Sequence, residues 1–375
     1  MKKLLSTLLF IPLIFLGQNQ PKTAEDYLQR GTSYVDIGNY KDALDDFSSA
    51  IKIDPDYATA YFYRGVAYSD LGNYEDAIAD FTSAIKIKPD YTIVYCNRGY
   101  LYDDLGNYKD ALADYRSAIK IDPDHAGAYY NRGHLYADLV NHKDAIVDFT
   151  TVIEIDPNHP GAYYNRGLSY YDLGNHKDAI VDFTTVIEID PDYSGAYNLR
   201  GLSYSHIGSY EDAISDYTRS IKITPDYAIA YFNRGLAYCD FGNYEDAIHD
   251  YTTAIKIHPD FTIAYYSRGR SYSDLGKHND AVVDYTSAIK IDPDHADAYY
   301  NRGVSYKRLG NYADAIADYT KTIRIDPDYT RAYFNRGVSY YFLGNHNDAI
   351  VDFTMVIKTV PDHSDAYYNR GLSYY

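Results

Sequence analysis

Apolar and aromatic positions along most of this chain recur at the spacing of a packed helix. In residues 58–68 one stripe follows the i, i+3, i+4, i+7 rule of a single helix face. It is made by Tyr61, Arg64, Gly65 and Tyr68. Gly72 and Asn73 then supply a C′ glycine and an N-cap in succession. The pattern predicts that one helix ends there and that another begins.

The second helix is predicted from a stripe of small and apolar residues. This stripe is made by Ala77, Phe81, Ala84 and Ile85. The chain leaves the helix at Pro89, because proline lacks the N–H that would continue the helix. Residues 58–91 are therefore predicted to form a hairpin of two antiparallel helices.

The same pattern returns every 34 residues. Ten full repeats start at residues 24, 58, 92, 126, 160, 194, 228, 262, 296 and 330, and a partial eleventh starts at residue 364. We number positions from the first residue of each repeat, so that Tyr61 is at position 4 and Gly65 is at position 8. A single hairpin cannot bury its apolar face alone, and stacked neighbours are needed to cover it.

These repeats resemble the tetratricopeptide repeat family over residues 24–375. The resemblance is carried by an aromatic at position 4, Gly at 8, Tyr at 11, Ala at 20, Phe or Tyr at 24, Ala at 27 and Pro at 32. Two positions depart from the family, which has Trp at position 4 and Leu at position 7, whereas this chain has Tyr and Arg. The resemblance implies an all-α fold, a right-handed superhelical solenoid of helix-turn-helix hairpins.

Two contacts inside each hairpin are predicted from the antiparallel arrangement. Gly65 is expected to meet Ala77, so that the helices approach closely. Positions 7 and 23 come level around the turn, and Asp occupies position 23 in all ten full repeats. We therefore predict that Arg64 pairs with Asp80, and that equivalent pairs recur along the chain with a structural role.

Binding is expected on a second stripe of the first helices, at positions 2, 5, 9, 12 and 13, which we call the variable stripe. It differs between repeats, and in the resembled family it faces the concave groove. The candidate binding residues are Phe62, Val66, Asp70, Cys96, Tyr100, Asp104, Tyr130, His134, Asp138, Tyr164, Leu168, Asp172, Phe232, Leu236, Asp240, Tyr266, Arg270, Tyr300, Lys307, Arg308, Arg331 and Phe334. The alternative is that this stripe is only a solvent-exposed face, whose sequence varies because no ligand constrains it.

The charges of the variable stripe change along the chain. Position 13 is acidic in most early repeats, while Arg270, Lys307, Arg308 and Arg331 come late. An extended peptide with a basic stretch and an acidic stretch would complement this order. Some family members clamp a terminal carboxylate with Lys at position 5 and Asn at position 9. Neither residue occurs at those positions here, so that activity is not expected.

The composition of the chain disfavours one class of function and indicates what most of the tyrosines do. With 35 basic and 53 acidic residues the net charge is −18, which disfavours a protein that binds nucleic acid. The chain has 48 Tyr and no Trp, and positions 4 and 11 are Tyr in every repeat, which indicates a structural use of the ring. Cys96 and Cys239 lie in repeats too far apart for a disulfide.

The first twenty residues differ from the rest. Lys2 and Lys3 precede an apolar run over residues 4–16, which is shorter than a membrane span and suits the h-region of a secretory signal. We expect residues 1–20 to be a signal peptide, residues 21–23 a linker, and the protein to be exported to the periplasm, cell envelope or medium. An uncleaved anchor is the alternative, because the cleavage site is poor.

Metal and cofactor chemistry is not expected. Recurring histidines at positions 17 and 34 lie at opposite ends of helices about 20 Å long, whereas zinc ligands lie about 2 Å from one ion. No phosphate-binding loop, HExxH, CxxC or nucleophile-elbow motif occurs. We interpret the chain as a nonenzymatic scaffold for protein binding. A tyrosine-lined polysaccharide-binding protein and the binding region of a larger enzyme are the alternatives.

Overall fold

The computed structural model describes residues 22–375, and this part of the chain is all-α, with no strand. The predicted signal peptide and residue 21 lie outside the described residues. Thr23 caps the first helix, since its side chain accepts from Asp26 N and the Asp26 carboxylate accepts from Thr23 N. No helix in residues 22–375 combines the length and the apolar character needed to cross a membrane.

Each full repeat contributes two helices, and the partial eleventh contributes one. The first helices are α1 (Ala24–Asp36), α3 (Ala58–Asp70), α5 (Thr92–Asp104), α7 (Ala126–Asp138), α9 (Pro160–Asp172), α11 (Ser194–His206), α13 (Ala228–Asp240), α15 (Thr262–Asp274), α17 (Ala296–Arg308), α19 (Thr330–Phe342) and α21 (Ser364–Ser373). The second helices are α2 (Tyr40–Ile53), α4 (Tyr74–Ile87), α6 (Tyr108–Ile121), α8 (His142–Ile155), α10 (His176–Ile189), α12 (Tyr210–Ile223), α14 (Tyr244–Ile257), α16 (His278–Ile291), α18 (Tyr312–Ile325) and α20 (His346–Thr359).

The chain forms two compact units, an N-terminal unit that ends at Leu173 and a C-terminal unit, Gly174–Tyr375. In the N-terminal unit α3 packs against α4, and α4 packs against α5 of the next repeat. The C-terminal unit repeats this pattern, for example from α17 through α18 to α19. The predicted stacking of hairpins is therefore confirmed within each unit.

The turn inside each hairpin uses the predicted glycine. Gly72 has φ of 77°, in the left-handed region that glycine enters without a steric penalty. Repeat four has Val140 at the same position, with φ of 59° and an exposed side chain. The turn geometry is thus kept where glycine is replaced, although a β-branched residue is strained there.

The glycine at position 8 lets the two helices of a hairpin approach closely. A Cβ added at Gly65 would lie 2.7 Å from the ring of Phe81, and 3.2 Å from the carbonyl oxygen of Ala77. The expected partner Ala77 is therefore only the second neighbour, and the ring at position 24 is the first. Phe81 is 1% exposed, so this ring fills the centre of the hairpin.

The predicted pairing of arginine with aspartate is confirmed. Arg64 donates through Nε and Nη2 to the two carboxylate oxygens of Asp80, each at 2.7 Å. Its Nη1 donates to Ser48 Oγ of the preceding repeat at 3.1 Å, so one side chain joins two repeats. Equivalent pairs are Arg30–Asp46, Arg98–Asp114, Arg132–Asp148, Arg200–Asp216, Arg234–Asp250, Arg268–Asp284, Arg302–Asp318 and Arg336–Asp352.

These carboxylates are buried and depend on their arginines. Removal from water raises the pKa of Asp318, although the guanidinium of Arg302 favours the charged form. Breaking such a buried pair costs about 3–5 kcal/mol, because one charge is left without a partner. The guanidinium of Arg302 also lies 5.5 Å from the centre of the Tyr299 ring. The arginine at position 7 is thus part of the core.

Two glycines at position 8 allow a matched test of this packing. A Cβ at Gly337 would lie 2.9 Å from the buried ring of Phe353, whereas a Cβ at Gly371 meets nothing within 4 Å. We expect Gly337→Ala to lower the free energy of unfolding by about 1 kcal/mol, because overpacking exceeds the gain in helix propensity. Gly371→Ala should leave it unchanged or raise it. Urea titration of both variants checks this, and equal responses would contradict the packing.

Candidate functional site

In the full repeats, the aromatic residues at position 5 of the variable stripe are half-buried. The Phe232 ring lies 5.7 Å from the ring of Tyr251 at position 24 and 5.1 Å from that of Phe261 at position 34. The same placement holds for Phe62, Tyr130, Tyr266, Tyr300 and Phe334. Tyr164 is also half-buried. This corrects the expectation that packing leaves position 5 free, since these rings close the hairpin core.

Several tyrosine hydroxyls at position 5 are already bonded. Tyr130 Oη accepts from Asn165 Nδ2 of the next repeat at 2.9 Å, and Tyr300 Oη accepts from Asn335 Nδ2 at 2.9 Å. Tyr266 Oη accepts from Asn301 Nδ2 at 3.0 Å. The asparagines stand at position 6, outside the variable stripe. Their recurrence after a position-5 tyrosine in the preceding repeat is the sequence signal for these links.

Cys96 needs a correction as a binding candidate. Its side chain is 5% exposed and packs with Ala118 and Ala128 in the core. Burial raises the pKa of the Cys96 thiol to about 12. The other position-5 candidates carry rings long enough to reach the surface, whereas this short side chain stays inside. Cys96 therefore contributes packing and no binding surface.

Position 9 is only partly accessible. Val66, Tyr100 and Leu168 are half-buried, whereas Leu236 is 38% exposed and Arg270 is exposed. His134 is also half-buried, and its Nδ1 lies 3.1 Å from Asp138 Oδ2 one turn later. The apolar members of this position thus lie along the edge of the packed core and offer limited contact area to a ligand.

The carboxylates at position 13 of the N-terminal unit are exposed. This acidic row consists of Asp36, Asp70, Asp104, Asp138 and Asp172. Each ends a first helix, and at Asp70, Asp104 and Asp172 the residue at position 17 of the preceding repeat comes close. The charge of Asp70 raises the pKa of Tyr40, and the charge of Asp104 raises the pKa of Tyr74. Asp240, in the C-terminal unit, is exposed as well.

Three cations of the C-terminal unit form what we call the basic patch, Lys307, Arg308 and Arg331. Lys307 Nζ donates to Asn335 Oδ1, which links the end of α17 to α19. Burial and then the charge of Arg308 lower the pKa of Lys307. Arg308 and Arg331 are exposed. The structure thus links Lys307 to α19, the helix that carries Arg331, whereas Arg270 lies a full repeat earlier.

A pocket of about 310 Å³ adjoins the basic patch. It is lined by Thr330, Arg331, Phe334, Asn335, Val360 and His363. The Phe334 ring stacks on the His363 ring with centroids 5.0 Å apart and forms an apolar wall. Asn335 belongs both to the pocket wall and to the contact with Lys307. Apolar surface and positive charge therefore occur side by side.

The recurring histidines at position 34 cap the first helices of the following repeats. His125 Nδ1 accepts from Ala128 N at 3.1 Å and caps α7, and His159 caps α9 in the same way. His295 and His363 cap α17 and α21. These contacts confirm the prediction of turn packing at position 34. Across residues 22–375, no three His, Cys, Asp or Glu side chains come together as metal ligands.

Comparison with protein families covers most of the chain. Family profiles described as "Tetratricopeptide repeat" match residues 28–92, 93–125, 126–159, 160–193, 228–261, 296–329 and 331–363. A profile described as "TPR repeat" matches residues 206–240 and 269–310. The matched ranges lie in both compact units. No curated protein sequence matches the chain significantly.

Solved structures show the same kind of fold. The C-terminal part of a TPR protein from Cytophaga hutchinsonii is 17% identical, with a TM-score of 0.56, and the match covers 64% of this chain and 98% of that one. YrrB, described as a TPR protein with an unusual peptide-binding site, is 26% identical over 50% of this chain and 97% of its own, with a TM-score of 0.46. MamA is 29% identical over 44% and 96%, with a TM-score of 0.42.

The two thiols test the placement of Cys96. Cys239 is half-buried, and its Sγ lies 3.1 Å from Ser271 Oγ. We expect Cys239→Ser protein to react with a disulfide reagent at pH 8 only after unfolding in urea, because Cys96 is buried and protonated. Cys96→Ser protein should react faster in the folded state. Rapid labelling of Cys96 in folded protein would instead place it at the surface.

Proposed function

The chain belongs to the tetratricopeptide repeat family, whose fold is typical of protein-interaction scaffolds, and from this premise we propose that it is a nonenzymatic scaffold for an extended peptide or protein segment. The segment would lie along the variable stripe. One observation carries the proposal: packing has taken the rings at position 5, and the exposed residues of the stripe are mainly charges. In the N-terminal unit these charges are all acidic, whereas in the C-terminal unit the exposed cations Arg270, Arg308 and Arg331 occur among the exposed acids Asp240, Asp274, Asp297 and Asp365.

The acidic row suits a basic segment in extended conformation. Equivalent positions in stacked helices lie about 10 Å apart, and an extended chain rises about 3.3 Å per residue. One carboxylate of the row is thus available for about every third residue of the segment. The carboxylates of Asp138 and Asp172 are 61% and 49% exposed, so they remain accessible to a partner.

Ring packing disfavours the alternative of a sugar-stacking surface. The Tyr300 ring has the rings of Tyr319 and Tyr329 within 5.8 Å and 4.9 Å, and its hydroxyl accepts from Asn335. Tyr266 is placed in the same way by Tyr285 and His295. A sugar ring needs a free aromatic face, and these rings already have protein neighbours.

We also propose that the scaffold acts outside the cytoplasm. The support is the sequence of residues 1–20 alone, with its basic start and apolar run. Such a location would place the charged stripe among partners of the envelope or of the medium.

Charge removal from the acidic row tests the proposed function. We expect Asp70→Asn, Asp104→Asn and Asp138→Asn together to weaken binding of a fluorescent lysine- and leucine-containing peptide about tenfold, since three exposed pairs contribute about 0.2–1 kcal/mol each. The loss should be largest at low salt, because these charges are screened. Fluorescence anisotropy with the full chain gives the affinity.

The matched control removes three acids from the loops between repeats. Asp56, Asp90 and Asp124 are exposed and lie in the same unit. Their replacement by Asn changes the net charge equally and should change the affinity less than twofold. Equal losses in the two triple variants would mean that binding follows net charge alone. Absence of binding by the unaltered chain would overturn the scaffold proposal for this segment class.

A further inference from the structure

We propose that the basic patch and its adjoining pocket bind an acidic segment of a protein partner, with a side-chain carboxylate at Lys307 and Arg331 and an apolar side chain beside Phe334. This inference rests on the proposed scaffold function and assigns the chemistry of one part of the bound segment. The bound part of the partner would be an internal segment in which acidic and apolar residues are neighbours.

The cations of the patch lack acidic partners. Among residues 22–375, no carboxylate lies within 4.0 Å of the side-chain nitrogens of Lys307, Arg308 or Arg331. In the C-terminal unit two half-buried cations do have one, Arg219 with Asp192 and Lys321 with Asp294. In a chain with a net charge of −18, Lys307 and Arg331, which both contact Asn335, leave local positive charge open to an anion.

Lys307 is the best-defined member of the patch. Its side chain is half-buried, and its hydrogen-bond partner is the neutral amide oxygen of Asn335. The same amide donates to Tyr300 Oη and to the Arg331 carbonyl oxygen, so its orientation is set from both sides. The ammonium is therefore held in place and retains donors for a ligand carboxylate.

A second polar group nearby is also unsatisfied. The Tyr319 hydroxyl is buried without a hydrogen-bond partner in the described part of the chain. At the equivalent place, Tyr251 Oη contacts Cys239 Sγ, twelve residues earlier. The counterpart of Cys239 for Tyr319 is Lys307, which is turned toward Asn335 instead. The Tyr115 hydroxyl, at the same position of repeat three, also lacks a partner in the described residues, so an unpaired hydroxyl at position 24 is not confined to the basic patch.

The pocket supplies the apolar half of the site. Phe334 and Val360 line it together with His363, and Arg331 stands at its edge. Two exposed acids, Asp297 and Asp365, stand at the position of Arg331 in the neighbouring repeats, and Asp297 accepts from Tyr329 Oη at 2.7 Å. A segment that places a carboxylate next to Leu or Phe would meet both the cations and the pocket.

Side-chain carboxylates fit better than a chain terminus. The family's clamp for a terminal carboxylate needs Lys at position 5 and Asn at position 9, and repeats nine and ten have Tyr300 or Phe334 and Val304 or Val338 there. The cations of this patch stand at positions 2, 12 and 13 instead. An amidated peptide should therefore bind as well as one with a free terminus.

The test uses the full chain and fluorescent peptides in three forms. One contains Glu and Leu and is amidated, one has the same sequence with a free terminus, and one has Lys in place of Glu. We expect Arg308→Glu with Arg331→Glu to weaken binding of both acidic peptides about tenfold at low salt. Arg324→Glu, an exposed charge reversal on α18, should change it less than twofold.

Each outcome decides the assignment. The acidic peptides could bind equally to the Arg308→Glu, Arg331→Glu protein and to the Arg324→Glu protein, while the basic peptide still binds the acidic row. That result would exclude the basic patch as the binding site and leave the scaffold function in place. If no peptide binds, both fail. If the acidic peptide binds only with a free terminus, a terminal clamp replaces our assignment. Concentration-dependent self-association lost in Arg308→Glu, Arg331→Glu protein would make a second copy the occupant.

Discussion

The ring at position 24 is the centre on which each hairpin depends. It lies against the glycine at position 8 so closely that a single Cβ would collide with it. The ring at position 5 packs on the same centre, as Phe232 does on Tyr251. The neighbouring position 23 carries the buried carboxylate that pairs with the arginine at position 7. Three contacts of one second helix thus fix the approach of the first helix.

This centre also determines which surface remains for binding. The aromatic residues at position 5 are drawn into the hairpin, and the asparagines at position 6 join some of them to the next repeat, as Asn301 does with Tyr266. The charged residues at positions 2 and 13 lie beyond the rings and are exposed, whereas Lys307 at position 12 is half-buried. The proposed recognition by charge uses the residues that this division leaves exposed, in the acidic row of the N-terminal unit and in the basic patch of the C-terminal unit.

Sequence periodicity predicted the elements that depend on one hairpin. Helix pairs, the turn at Gly72 and the pairing of Arg64 with Asp80 follow from local spacing and were confirmed. Counting residues from the turn along two antiparallel helices places Ala77 opposite Gly65. The Phe81 side chain instead reaches over that distance, and only its rotamer in the folded hairpin shows this.

Contacts between repeats were harder to predict. The stripe at position 5 adjoins the packed stripe, and a period of 3.6 cannot distinguish a ring that turns inward from one that turns out. Cys96 was offered as surface for this reason and is buried. The asparagine links and the neutral partner of Lys307 join residues of successive repeats. Their geometry depends on the offset between stacked hairpins, which the pattern of one repeat does not contain.

Photo-crosslinking on both faces of the hairpins tests the central claim most directly. A photoreactive phenylalanine derivative would replace Asp104 or Arg331 on the first helices, or Glu154 or Arg324 on the second helices, one at a time. The probe is a peptide with a basic stretch and an acidic stretch. The account predicts crosslinks from the two first-helix sites, to the basic stretch at 104 and to the acidic stretch at 331. Crosslinks from the second-helix sites, or equal labelling from all four, would contradict it.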